Sequence, residues 1–239
     1  MMFKLWNIVD SQGMDVLGYF QPFFSKNQQK PAPRKEGLPM TIAPNTAAAA
    51  LKKLFDRQAE QAIALSGDEA GIKALYPLLE RIGKVTEGAG RIPFVIVAQG
   101  ANLTLSMRME KVVLDGKTGA SYLADNRVTD LDDIPQGHYL AIDVEDGRAM
   151  RNTKPSVALA QFKRAKRFGG TVNEGISTVT YEPEILLHHY VDLPGSLYDG
   201  DRVPCLGVVD GPELFADWSD DANPSFGSLS CGSRLTLGG

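Results

Sequence analysis

From residue 45 onward, apolar side chains recur at helical intervals. Leu51, Leu54, Phe55, Gln58, Ala62 and Leu65 fall near one stripe, with Lys52, Lys53, Arg57 and Glu60 off it. Strong helix formers fill this stretch, Asn45 or Thr46 can cap it and Gly67 can stop it, so a helix is predicted over 45–67. Ile72, Leu75, Leu78, Leu79 and Ile82 make the apolar face of a second helix over 68–82, which Pro77 should kink or split. The period then changes. RIPFVIVAQ (91–99) is continuous, apolar and β-branched, the pattern of a strand buried on both faces. LTLSMRM (103–109) and KVVLD (111–115) predict further strands, and DGKTG (115–119) a turn. An acidic loop with Pro135 spans 125–137, and HYLAIDVEDGR (138–148) is a strand ending in an Asp-Gly turn.

The second half alternates in the same way. KPSVALAQFKRAKRFGG (154–170) predicts a helix, with Pro155 in its first turn and Gly169-Gly170 at its end. TVNE (171–174) has the Thr-x-x-Glu spacing of a capping box, so another helix starts there and runs to Tyr181. A short helix follows over 183–188. RVPCLGVVD (202–210) and PELFADWSD (212–220) read as a hairpin across Gly211-Pro212. NPSFGSLSCGSR (223–234) reads as a closing turn and strand.

Helices, strands, helices, strands is the order of an α+β (mixed α/β) domain: N-terminal helices, a central mixed sheet and helices between strand groups. A regular βαβ repeat is missing, so the fold is not doubly wound. Residues 1–44 differ from the rest. QPFFSKNQQKPAPRKEGLP is rich in Gln, Lys and Pro and cannot bury enough apolar surface to offset its ordering entropy. Residues 1–44 are thus expected to be a partly disordered extension and linker, with 21–44 the linker and 1–20 either a short strand or hairpin or an extension absent from the natural start, and 45–239 a single domain.

Composition narrows the function without naming it. The 43% hydrophobic and 23% charged fractions are those of an ordinary globular protein. A net charge of −4 disfavours a nucleic-acid partner. No apolar run reaches the roughly 18–20 residues of a membrane helix, and the start has the wrong shape for an export signal. The expected setting is a cytoplasm, with the two cysteines, Cys205 and Cys231, reduced.

Candidate chemistry fails its spacing tests. A nucleophile elbow needs Gly-x-Ser-x-Gly between strand and helix, but the stretch from Gly227 through Ser230 and Cys231 to Gly232 has one residue too many. Gly116-Lys117-Thr118 imitates the end of a P-loop, but the glycine it requires earlier is Lys111. The run from Asp143 to Gly147 imitates a calcium loop with its glycine one place early. His188 and His189 are adjacent, so their side chains diverge and do not chelate. No metal and no cofactor is implied. The remaining enzymatic scheme is a hydrolase or acyl transferase with Cys231 or Ser230 as nucleophile and His188 or His189 as base.

Charge is uneven. Arg148, Arg151, Lys154, Lys163, Arg164, Lys166 and Arg167 have no acid among residues 147–172, while eight acids between Asp192 and Asp221 face only Arg202. The basic helix predicts a solvated face, an anion site, or a homo-oligomer in which it meets the acidic segment of a second copy.

RIPFVIV, YLAIDVEDGR, TVNEGISTVTYEPEIL, RVPCLGV and NPSFGSLSCGSR occur in an order that resembles an uncharacterised, actinobacterial-type bacterial family of unknown function, DUF5701. The resemblance spans 55–235. It implies a small stand-alone cytoplasmic domain and carries no activity. Asn173 stands where the family pattern has an acid before Glu174. The leading expectation is therefore a binding module for a small ligand, an anion or a protein. Its site is placed where polar turns could converge: Asp143 to Arg148, Glu174, and Asn223, Ser228, Ser230 and Arg234, with Arg91 and Arg202 adding positive charge at one sheet edge. Backbone amides of a Gly/Ser turn can cradle an anion without any catalytic residue.

Overall fold

The computed structural model describes residues 44–83 and 88–238. The expectations for residues 1–43 lie outside them. Helix α1 (Pro44–Ser66) ends at Gly67, whose φ of 72° lets its N–H return to the Ile63 carbonyl at 2.8 Å. Asp68 caps α2 (Glu69–Ala74) by accepting from the Gly71 N–H. A 3₁₀ turn (Tyr76–Arg81) follows, so the second predicted helix is split at Pro77.

The strands are β1 (Arg91–Val97), β2 (Val113–Leu114), β3 (Lys117–Thr118), β4 (Ala120–Ser121), β5 (Val128–Asp130) and β6 (Tyr139–Glu145), with helix α3 (Leu105–Met109) after β1. The predicted strand over 103–109 is thus a helix. Thr104 accepts from the Met107 N–H at 3.2 Å and Asp125 from the Leu105 N–H at 2.8 Å, so two first-turn donors are capped by side chains. The strand predicted over 111–115 shrinks to one side of a hairpin. Asp115 and Gly116 turn it with φ of 50° and 75°, the left-handed pair a tight hairpin requires.

Helix α4 (Pro155–Arg164) stops earlier than predicted, because Lys166 turns left-handed (φ 57°) and the chain re-enters a sheet as β7 (Phe168–Gly169). Helix α5 (Val172–Tyr181) and a 3₁₀ turn (Pro183–Leu187) precede β8 (Tyr190–Asp192), β9 (Ser196–Tyr198), β10 (Arg202–Val208) and β11 (Pro212–Trp218). The closing stretch makes β12 (Phe226–Ser228), β13 (Ser230–Cys231) and β14 (Ser233–Leu235).

The architecture is α+β and not doubly wound, but the strands form two main sheets where one was expected. The first is antiparallel: β1 pairs with β6, β6 with β13 and β14, and β13 with β7. The second runs β12-β8-β10-β11-β4, with β9 beside β10 and β5 beside β9, and its β12–β8 and β11–β4 pairs are parallel. Both sheets and α1, α2, α3 and α5 share one core, including Phe94, Ile96, Leu140, Ile176, Val179 and Leu206. Helix α5 contacts β1 of the first sheet and β10 of the second, and this position brings polar groups from both toward its N-terminus.

Candidate functional site

The first turn of α5 is built as the Thr-x-x-Glu spacing predicts. Thr171 accepts from the Glu174 N–H at 3.3 Å, and Glu174 Oε2 accepts from the Thr171 N–H at 2.9 Å. Glu174 is only 1% exposed and its carboxylate does more than cap. Arg234, from β14, donates through Nε to Oε1 at 2.6 Å and through Nη2 to Oε2 at 3.1 Å. Tyr139, from β6, donates to Oε1 at 3.1 Å, and the Cys231 thiol lies at 4.0 Å from the same oxygen. Burial, with the Glu174 charge second, pushes the Tyr139 phenol well up. Burial opposes the Arg234 cation, yet the Glu174 bond and charge outweigh it, so its pKa is raised. Beside the pair, Ser196 accepts from the Val172 N–H at 3.0 Å and donates to Asp130, whose carboxyl burial pushes up against that hydrogen bond.

Arg234 has one group left over. Its guanidinium stacks on Phe168 at 4.7 Å and Nη2 also reaches the Gly169 carbonyl at 3.4 Å, but buried Nη1 has no acceptor. The residue lines a cleft of about 730 Å³ between the start of α2, the 133–138 loop and the chain end, with Asp68, Asp133, Gln136, His138 and Thr236 around it. His138 is oriented there by two bonds: Nδ1 accepts from the Gln99 N–H at 2.9 Å, so Nε2 carries the proton it shares with Asp68 at 3.1 Å.

A second cluster lies on the first sheet. Asp143 is left-handed (φ 52°) inside β6 and pairs with Arg91 at 3.0 Å and Arg167 at 2.5 Å. Arg91 also holds Glu145, and Arg167 donates to Ser230 Oγ at 3.1 Å. A smaller cleft of about 360 Å³ carries Arg91, Asp146, Arg148, Glu182 and His188. Its cations are already engaged: Arg148 by buried Asp146 at 2.7 Å, Arg91 by Asp143 and Glu145.

The structure therefore brings together Glu174 and Arg234, and separately Asp143, Arg91 and Ser230. It sends other expected residues elsewhere. Arg202 pairs with Asp199 and stacks on Tyr198. Asn223 closes a turn by accepting from the Ser225 N–H at 2.9 Å. The Ser228 hydroxyl is buried without a partner. The nucleophile scheme finds no dyad. Cys231 is fully buried, with its thiol pushed up by burial and by the Glu174 charge. His189 Nε2 meets the Asp146 carbonyl at 2.8 Å, and burial holds its pKa down. Among the described residues Cys231 meets Glu174, Ser230 meets Arg167 and His189 meets the Asp146 carbonyl, so no hydrogen-bonded Cys–His or Ser–His pair forms, and no three His, Cys, Asp or Glu side chains converge as a metal needs. None of their helices is long and apolar enough to cross a membrane.

Tyr139, His138, Gln136, Thr236 and Arg167 were not predicted as site residues. Tyr139 reads as core in an apolar strand, and Arg167 as one more charge in a basic run. Only the fold distinguishes Tyr139, His138 and Arg167, since their partners lie 24 to 70 positions away.

The family described as "Family of unknown function (DUF5701)" matches residues 42–217. The match includes Tyr139 and Glu174 and stops before Arg234. No curated protein and no solved structure matches the chain.

Proposed function

Because the chain belongs to the DUF5701 family, which assigns no activity, its function has to be argued from the site, and we propose that it binds a small, uncharged polar molecule in the Arg234 cleft. The observation that carries this is the unpaired Nη1 of Arg234, a residue whose side chain is 5% exposed and which lines that cleft. A buried donor without a partner costs about 1–3 kcal/mol, and a ligand oxygen would remove that penalty. Charge decides the class of ligand. Glu174 already neutralises Arg234, and the other charged groups at the cleft are Asp68 and Asp133. An anion would be repelled, whereas a carbonyl or hydroxyl oxygen could take Nη1 while Gln136 and Thr236 supply further donors and acceptors. Polyols, sugars and amides fit this description. Binding is favoured over turnover because the Cys231 thiol faces Glu174 and the His189 ring faces the Asp146 carbonyl, so neither is engaged with the other as nucleophile and base.

The test is ¹⁵N chemical-shift perturbation with glycerol, glucose and acetamide as neutral probes and succinate as the charged control. At least one neutral probe is expected to shift amides of 133–138 and 234–238 saturably. Gln136→Ala and Thr236→Ala, which leave the Glu174–Arg234 pair intact, should each weaken that binding about fivefold, the size of one hydrogen bond. Uniform small shifts across the chain, or the same affinity in both variants, would remove the proposal.

A further inference from the structure

Helix α4 ends on a residue that strains its own turn. The Lys166 N–H returns to the Lys163 carbonyl at 3.2 Å and the Arg167 N–H to the Phe162 carbonyl at 2.9 Å. This paired closure needs a left-handed residue just past the helix, a seat that glycine usually fills, as Gly67 does after α1. Here Lys166 fills it, with φ 57°. Five non-glycine residues are left-handed among those described, and the other four are Asp or Asn, whose short polar side chains tolerate that backbone. Lys166 is the exception. Glycine would make the same turn with less strain, so the lysine side chain calls for a reason outside the turn.

Lys166 lines a cleft of about 260 Å³ with Asp132, Lys163, Arg167 and Phe168. Lys163 and Lys166 are exposed and join no ion pair among the described residues. Arg167 adds little charge, because Asp143 and Glu145 face it at 2.5 and 3.7 Å. Asp132 is the one acid in the wall. Two uncommitted ammonium groups against one carboxylate favour an anion. Phe168 adds a second feature. The Arg234 guanidinium stacks on it at 4.7 Å, yet the residue is 38% exposed and lines the cleft. An accessible aromatic ring beside free cations suits a flat ring that carries a phosphate. The volume lies just below the ~300 Å³ at which pockets for drug-sized ligands begin, so one ring and one phosphate fit. We propose that this cleft binds a small phosphate monoester of a ring-bearing molecule, with the phosphate between Lys163 and Lys166 and the ring against Phe168. It is separate from the Arg234 cleft, since the two share no lining residue.

The experiment uses the full chain and ¹⁵N chemical-shift perturbation at constant ionic strength. Phenyl phosphate is expected to shift amides of 163–169 saturably, and inorganic phosphate the same amides about fivefold more weakly, the worth of one aromatic contact. Lys163→Gln and Lys166→Gly should each weaken phenyl phosphate binding about fivefold, as for one partly exposed ion pair. Lys111→Gln, which removes an exposed charge elsewhere, should leave it unchanged. Lys166→Gly should also melt about 2 °C higher, because glycine relieves the left-handed strain. Weaker binding by a more stable protein separates a lost contact from a damaged fold. Equal binding by the parent and Lys166→Gly would overturn the proposal. So would equal affinity for phenyl phosphate and inorganic phosphate, or shifts confined to 133–138, which belong to the other cleft.

Discussion

Glu174 gathers donors from Thr171, Tyr139, Arg234 and Cys231, and this convergence makes it the most consequential polar residue of the core. Removing its charge would leave Arg234 buried and unpaired. Glu174→Gln is therefore expected to lower unfolding free energy by about 3–5 kcal/mol in urea titration, and Glu174→Gln with Arg234→Met to recover part of it, because the pair, once gone, has no charge left to strand. A double variant as unstable as the single one would contradict this account. Asp192 behaves in the opposite way. It is 3% exposed on β8, and burial, helped by the Asp217 charge, pushes its carboxyl up to about 7. In the unfolded chain it titrates near ~3.9. The folded state thus favours the protonated form. That contribution is fully present below about pH 4 and is lost as pH rises toward 7; at ~1.4 kcal/mol per unit it amounts to ~4 kcal/mol at most. Asp192→Asn should be more stable than the parent at pH 8, with the advantage shrinking toward pH 5. A difference that does not change with pH would refute the assignment.

Among the elements, α5 was the most legible and α3 the least, for one physical reason. A capping box is local: Thr171 and Glu174 satisfy each other within one turn, so four residues announce the helix start. Thr171→Ala is expected to cost about 1 kcal/mol, the usual worth of an N-cap. In a Glu174→Gln background the cost should be smaller, because the two residues share one hydrogen-bond network. Additive losses in that double variant would mean that cap and core carboxylate act separately. In α3 the apolar positions 103, 105, 107 and 109 alternate as in a strand. The buried set is Leu105, Arg108 and Met109, which has helical spacing but contains a cation that a hydrophobic pattern omits. Gln58 hides in the same way. It lies fully buried in the stripe of α1, where its amide donates to the Phe94 carbonyl at 3.0 Å and accepts from the Ile96 N–H at 2.8 Å, supplying rungs beside β1 that a neighbouring strand would otherwise provide. Buried polar residues were thus the blind spot, because their role is set by partners distant in sequence.

At the scale of the whole molecule, the closing stretch is a strap between the sheets, which its reading as a turn and strand did not convey. Ser228 pairs with Asp192 in the second sheet, and Ser230 pairs with Glu145 and Gly169 in the first. Between them, Leu229 donates to the Asp192 carbonyl at 2.9 Å and accepts from the Gly170 N–H at 2.8 Å. The same strap delivers Cys231 and Arg234 to Glu174, so the candidate site depends on sheet-to-sheet docking. Two glycines allow the chain to pass. A Cβ on Gly227 would lie 2.2 Å from the Gly147 carbonyl oxygen, and Gly147 holds φ 100° at the turn after β6. Backbone, not a flexible side chain, blocks the larger residue. Gly227→Ala should therefore cost about 1–3 kcal/mol, as overpacking usually does, whereas Gly83→Ala, with nothing within 4 Å of the added carbon, should change stability little. Hydrogen exchange separates a local effect from a global one. If the strap couples the sheets, Gly227→Ala speeds exchange in β8 and β6 together and around Glu174, because displacing β12 pulls on β13 and β14. Faster exchange confined to β12 and β8 would mean that the sheets are joined by the shared core alone and that the strap only follows them.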